Sequence, residues 1–236
     1  MRTVFKNREF LRDLQKDLLS SAQDKYNHKD ICASDVWREL QVFTQEYFRK
    51  NLKKHISTFY AGRDCRVAFA DFSFDDNDGR KFIVNVKTYA KTLSGGARCA
   101  SIRKLLKGDK ADNFDGLDNP KHFYMLIDFK YKIVSESNGV AHISIYECHV
   151  FPLCAYNIRL KRGNARVDRV SCAGDLAMSR NNCGQLTYMP DRLNEPNAFN
   201  FSMSRKEWLD MVKERIAQDF DSNIKTLMRD KDNLCG

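Results

Sequence analysis

The stretch from Arg66 to Thr92, RVAFADFSFDDNDGRKFIVNVKTYAKT, constrains this chain more than any other. Two runs rich in Val, Ile and Phe flank Asp75-Asp76-Asn77-Asp78-Gly79, residues that favour turns, which predicts a β-hairpin. Side chains alternate across a strand, so Phe82, Val84 and Val86 share one face and Ile83, Asn85 and Lys87 the other. Asp71, on the preceding strand, lies beside the second set if the pair is in register. An acid, a second polar ligand and a lysine converging at a sheet edge suit metal-assisted cleavage of phosphodiesters. The carboxylate holds a divalent ion, the ion polarises the phosphate and acidifies a water, and the lysine steadies that water or the developing charge.

At 236 residues and 27.4 kDa the chain reads as one domain, 1–236, long enough for a substantial core. Forty Lys and Arg against 31 Asp and Glu give a net charge of +9, which suits a polyanionic partner. With 42% hydrophobic residues it is no disordered tail, and without a long apolar run nothing is expected to span a membrane. MRTVFKNREFLRDLQ puts charges where a signal peptide has its apolar core, so an intracellular, cytoplasmic protein is expected. The eight cysteines form no CxxC pair and lack a His at zinc-finger spacing, which favours free, mostly buried thiols.

Taken in order, residues 8–25 carry Phe10, Leu11, Leu14 and Leu18 as a narrow helical stripe. Ser34 or Asp35 can cap a second helix with the stripe Val36, Leu40, Phe43 and Tyr47, ending in the basic run Arg49 to His55. The acidic turns do not bind calcium, because loop alignment on Gly79 puts Phe74 first and Asn85 twelfth. The segment Lys91–Lys107 is basic and includes a helix over Ala100–Leu106; backbone phosphates and plain solvent are equally good partners for it. Residues 123–134 and 140–150 read as strands joined by a turn at Ser135–Gly139, with further strands at 155–161 and 165–172. Asp128 and Glu147, acids on core strands, are expected to pair with nearby lysine or arginine, and His142 and His149 to be satisfied strand histidines. A final amphipathic helix spans about 204–229, with Trp208, Met211, Val212 and Ile216 inward.

Asp71 followed by Asn85-Val86-Lys87 resembles the PD-(D/E)XK signature of type II restriction endonucleases, with Ala70 where proline is usual and Asn85 where Asp or Glu is expected. Ala173 to Asn182 is similar to the strand end and DNA-recognition loop of the EcoRV/HincII branch of that family. Phe201 to Leu209 is similar to the start of its C-terminal helix, and Trp37-Arg38-Glu39-Leu40 to the helix that lends an accessory glutamate. The resemblance implies an α/β fold with a restriction-endonuclease-like core, a mixed central sheet of about five strands flanked by helices. It further implies a catalytic hairpin at about 66–92, a recognition loop at about 176–186, and a homodimer cutting a short palindrome in double-stranded DNA to blunt ends. On this reading Asp71, Asn85 and the Val86 carbonyl hold Mg²⁺, for which Mn²⁺ substitutes. Lys87 orients the attacking water and Glu39 assists. Arg63, Arg66, Thr88, Ser179, Arg180, Asn181 and Asn182 contact DNA.

Asn85 departs from the pattern, since an amide binds Mg²⁺ more weakly than a carboxylate. Three explanations compete: an inactivated variant of an enzyme with aspartate there, an enzyme whose second carboxylate has moved (to Glu39 or Asp75), or a DNA-binding protein without catalysis. The persistence of Asp71 and Lys87 favours the first. A repair or junction-resolving nuclease shares the same hairpin and is the alternative activity.

Overall fold

The computed structural model describes residues 3–27, 29–61, 70–90, 97–110, 113–156, 174–177, 185–188, 193–194 and 198–219, with side chains at 97–103, 174–177, 185–188 and 214–219 left aside. Helix α1 (Arg8–Tyr26) starts at Asn7, whose Oδ1 accepts the Glu9 and Phe10 amides, and buries Leu11, Leu14, Leu18, Ala22 and Tyr26. Helix α2 (Val36–Asn51) buries Val36, Leu40, Phe43, Thr44 and Phe48. The stripe thus ends on Phe48 rather than Tyr47, which lies half-buried at its margin, and Asp35 makes no side-chain capping bond.

Strands β1 (Asp30–Cys32), β2 (Ile56–Ala61), β3 (Phe72–Asp76), β4 (Lys81–Ala90), β6 (His122–Ser137) and β7 (Val140–Pro152) form one mixed sheet in the order β1-β7-β6-β4-β3-β2. The expected α/β class, a mixed sheet flanked by helices, is therefore the observed one, with six strands in place of about five. Among the described residues only β4 and β6 pair in parallel, from Lys81↔His122 to Ala90↔Tyr131. The β3–β4 hairpin turns on Asp76, whose Oδ1 accepts the amides of Asp78 and Arg80, with Gly79 at φ +68°. The β6–β7 hairpin turns on Asn138-Gly139, both at positive φ, the pairing that a two-residue turn demands.

Strand β5 (Ala97–Ser101) pairs with β9 (Gln185–Tyr188), which pairs with β8 (Gly174–Ala177), making a separate three-stranded sheet. Helix α3 (Ile102–Lys107) follows β5 at about the expected place. The strand expected from 155 begins instead with the end of a 3-10 turn, Leu153–Ala155, and an isolated bridge of Tyr156 to Phe199; residues 157–161, and the strand at 165–172, fall outside the described residues. Helix α4 (Arg205–Asp219) opens with a reciprocal capping box: the Glu207 amide donates to Ser204 Oγ at 3.1 Å and the Ser204 amide to Glu207 Oε2 at 2.7 Å. Among the described residues Cys32, Cys148 and Cys154 are free thiols, the last two buried, and no helix is long and apolar enough to cross a membrane.

The large sheet is covered on both sides. One face carries Phe72, Phe74, Phe82, Val84, Met125 and Ile127 against α1 and α2; the other carries Ile83, Tyr124, Leu126 and Phe151 against Trp208, Leu209 and Val212 of α4. Phe82 is the hub of the first face, fully buried between Phe74 and Phe123 at centroid distances of 4.9 and 5.0 Å. Phe82→Ala is expected to cost about 3–5 kcal/mol in urea melts. Val134→Ser, at a position 58% exposed, should stay within about 0.5 kcal/mol.

Candidate active site

The site lies where β3 runs out. Its ladder with β4 ends at Phe72↔Val84, and one residue earlier the Asp71 amide still donates to Val84 O at 2.9 Å. The next β4 amide on that edge, Val86 N–H, donates instead to the Asp71 side chain, at 2.5 Å from Oδ2. The backbone carbonyl of Asp71 accepts Gln45 Nε2 of α2 at 2.9 Å. Asp71 is therefore fixed at its amide, its carbonyl and its carboxylate. Burial raises its carboxyl above the usual range, and the Val86 amide and the Lys87 charge offset this only in part.

Strand alternation puts Asn85 and Lys87 on the face of Ile83, as expected, with Asn85 buried and Lys87 half-buried. The Lys87 ammonium is close enough to Asp71 for its charge to act on that carboxyl. The structure thus brings Asp71, Asn85 and Lys87 near one another midway along β4, where β3 stops. The same face continues across the sheet, because Lys87 is in register with Asp128 on β6, and Asp128 with His149 on β7. Asp128 is fully buried. One step along, Lys130 pairs with Glu147 at 2.9 Å, as expected for that acid, and the same carboxylate oxygen takes His149 Nε2 and, at 2.8 Å, Asn194 Nδ2. Burial alone would raise the Glu147 carboxyl, but His149 and Lys130 bring it down to about 2.

The other expected site residues lie elsewhere. The Glu39 carboxylate accepts the Tyr26 hydroxyl at 3.3 Å, between α1 and α2; the residue of α2 that touches Asp71 is Gln45. Asp75 is engaged by Lys81 at 3.3 Å and the Tyr60 hydroxyl at 2.9 Å, four residues along the strand from Asp71. Neither acid is offered to Asn85 in this arrangement. Thr88 pairs with Phe129 and so shares the face of Val86, opposite Lys87. Arg63, Arg66, Ser179, Arg180, Asn181 and Asn182 lie outside the described residues, although the strands bracketing 178–184 are paired with each other.

Among the described residues no three of His, Cys, Asp and Glu cluster as a ready metal cage. Magnesium commonly takes one or two protein carboxylates and completes its octahedron with waters and substrate phosphate.

No family model matches this chain, and no curated protein sequence matches it. Among solved structures it is similar to tetrameric restriction endonuclease SfiI bound to cognate DNA, with a TM-score of 0.37, 12% identity, and coverage of 83% of this chain and 85% of that one. A score that low leaves the functional reading to the residues themselves.

Because the Glu147 carboxyl titrates lower folded than unfolded, its contribution to stability is full above the ordinary value of 4.5 and is lost as pH falls through about 2. Glu147→Gln should therefore destabilise the protein by about 2 kcal/mol at pH 7, leaving buried Lys130 and His149 without their anion. Urea melts of variant and parent should converge as pH is lowered through that window.

Proposed function

We propose that this chain is a type II site-specific deoxyribonuclease, hydrolysing phosphodiesters in double-stranded DNA with Mg²⁺, or Mn²⁺ in its place. The observation that carries this is the approach of Asp71 to the Asn85–Lys87 segment of β4 where β3 stops, with Asp71 fixed at three points. In the reading, Asp71, the Asn85 side-chain oxygen and the Val86 carbonyl hold the ion, which when bound polarises the scissile phosphate and acidifies water. Lys87 orients the attacking water and offsets charge developing on the phosphate. The +9 net charge supports a polyanionic substrate. As one domain over 1–236, acting as a homodimer, the protein presents two sites to two strands of a short palindrome, read by the loop of Ser179, Arg180, Asn181 and Asn182, and cuts it to blunt ends. Arg63 and Arg66 approach the minor groove.

Asn85 is the reason the chain as it stands cuts slowly or not at all: it removes one negative charge from the ion's surroundings. The same observation favours a second reading, a DNA-binding protein without catalysis. Asn85→Asp separates the two. Under the nuclease reading it brings Mg²⁺-dependent cleavage of plasmid into discrete fragments, and adding Asp71→Ala or Lys87→Ala to it lowers the rate by at least about a hundredfold. Lys87→Ala should leave DNA affinity intact. Smears or nicks in place of fragments would indicate the repair-type alternative, and no cleavage by the aspartate form would leave binding alone.

A further inference from the structure

Helix α2 touches the site through Gln45, a residue to which neither the motif nor the helix stripe assigns a role. Its Nε2 donates to the backbone carbonyl of Asp71 at 2.9 Å. That carbonyl belongs to the peptide linking Asp71 to Phe72, so its direction sets the orientation of the residue whose carboxylate receives Val86 N–H. Phe72 onward is held by the β3–β4 ladder, and the Asp71 amide by Val84. Among the described residues the carbonyl's partner is Gln45. Gln45 is itself well placed to hold a fixed direction: α2 is anchored on either side of it by buried Leu40, Phe43, Thr44 and Phe48, and at its start by the Tyr26–Glu39 bonds to α1.

We propose that Gln45 is a positioning residue for Asp71, acting on the ion through the peptide plane rather than as a ligand. The proposal rests on the reading of Asp71 as metal ligand, but its first test does not. Gln45→Met keeps the length and apolar stem of the side chain and removes the donor. In hydrogen–deuterium exchange by NMR, the Val86 amide of Gln45→Met should exchange at least about tenfold faster than in the parent, with the Phe82 and Val84 amides of the same strand unchanged. Titration with Mn²⁺ alone, followed by the loss of free-ion paramagnetic resonance signal, should show affinity lowered about two- to tenfold, the worth of one hydrogen bond, while metal-free DNA affinity is unmoved. In the Asn85→Asp background the loss should fall on kcat and on the Mg²⁺ half-saturation, with KM for DNA held. Acceleration of all β4 amides together would mean that Gln45 serves general stability and would overturn the proposal, as would an unchanged Val86 amide. If Val86 alone accelerates but neither chain binds Mn²⁺, the positioning contact stands and the metal reading of Asp71 falls.

Discussion

A strand in the middle of a sheet must satisfy its amides along both edges, and β4 has neighbours of unequal length. β6 follows it in parallel for its whole course, Lys81 to Ala90, whereas β3 accompanies it only as far as Val84. Beyond that point the Val86 amide would face a gap on the β3 side. A buried N–H without an acceptor costs on the order of 1–3 kcal/mol, and the Asp71 carboxylate closes the gap. The backbone need of one strand thus pins a carboxylate beside the lysine two residues from Asn85. Burial keeps that carboxyl harder to ionise than usual, with the Val86 amide and the Lys87 charge working the other way.

The two faces of the sheet divide the work. The side under α1 and α2 is almost wholly aromatic and aliphatic, with Phe5 against Phe74 and Phe82, and Phe82 between Phe74 and Phe123, and it packs against both helices. The side under α4 is apolar only over its first part, from Ile83 and Tyr124 to Leu126 and Phe151. From Asn85 onward it becomes polar, with Lys87, Asp128, Lys130, Glu147 and His149 from three strands. Charges of both signs sit side by side there, as burial requires. A rigid hydrophobic slab therefore ends in a charged margin, and the candidate site occupies that margin.

How much of this could be read from residues alone depended on the range of the contact. Alternation from Phe82 to Lys87 was legible, since β4 has no bulge and every residue keeps its face. The turns at Gly79 and Asn138-Gly139 were legible from residue type, because positive φ narrows the choice. The face of Glu147 and His149 was not. Counting by twos from Ala141, Ile143 and Ile145 would bury them against α1, but the register slips at Tyr146 and turns them to the opposite side, so that Cys148 and Val150 enter the α1 core. Gln45 was hidden for a different reason: its partner is a backbone carbonyl 26 residues away, and nothing in the spacing of a helix announces such a bond. Glu39 drew attention by resemblance to a motif, while its side chain settled on Tyr26, a neighbour supplied by how α1 packs.

The uneven strand lengths have one more effect, far from the chemistry. β4 ends opposite Tyr131, yet β6 continues to Ser137, and among the described residues no strand flanks that overhang on the β4 side. Exposed edges of this kind invite neighbouring molecules to add strands and build fibrils. Here the overhang carries Lys132 and a register slip at Val134, both of which spoil a flat template. Both features work against strand addition there, beside the exposed Ile133 and Val134 that would otherwise favour it.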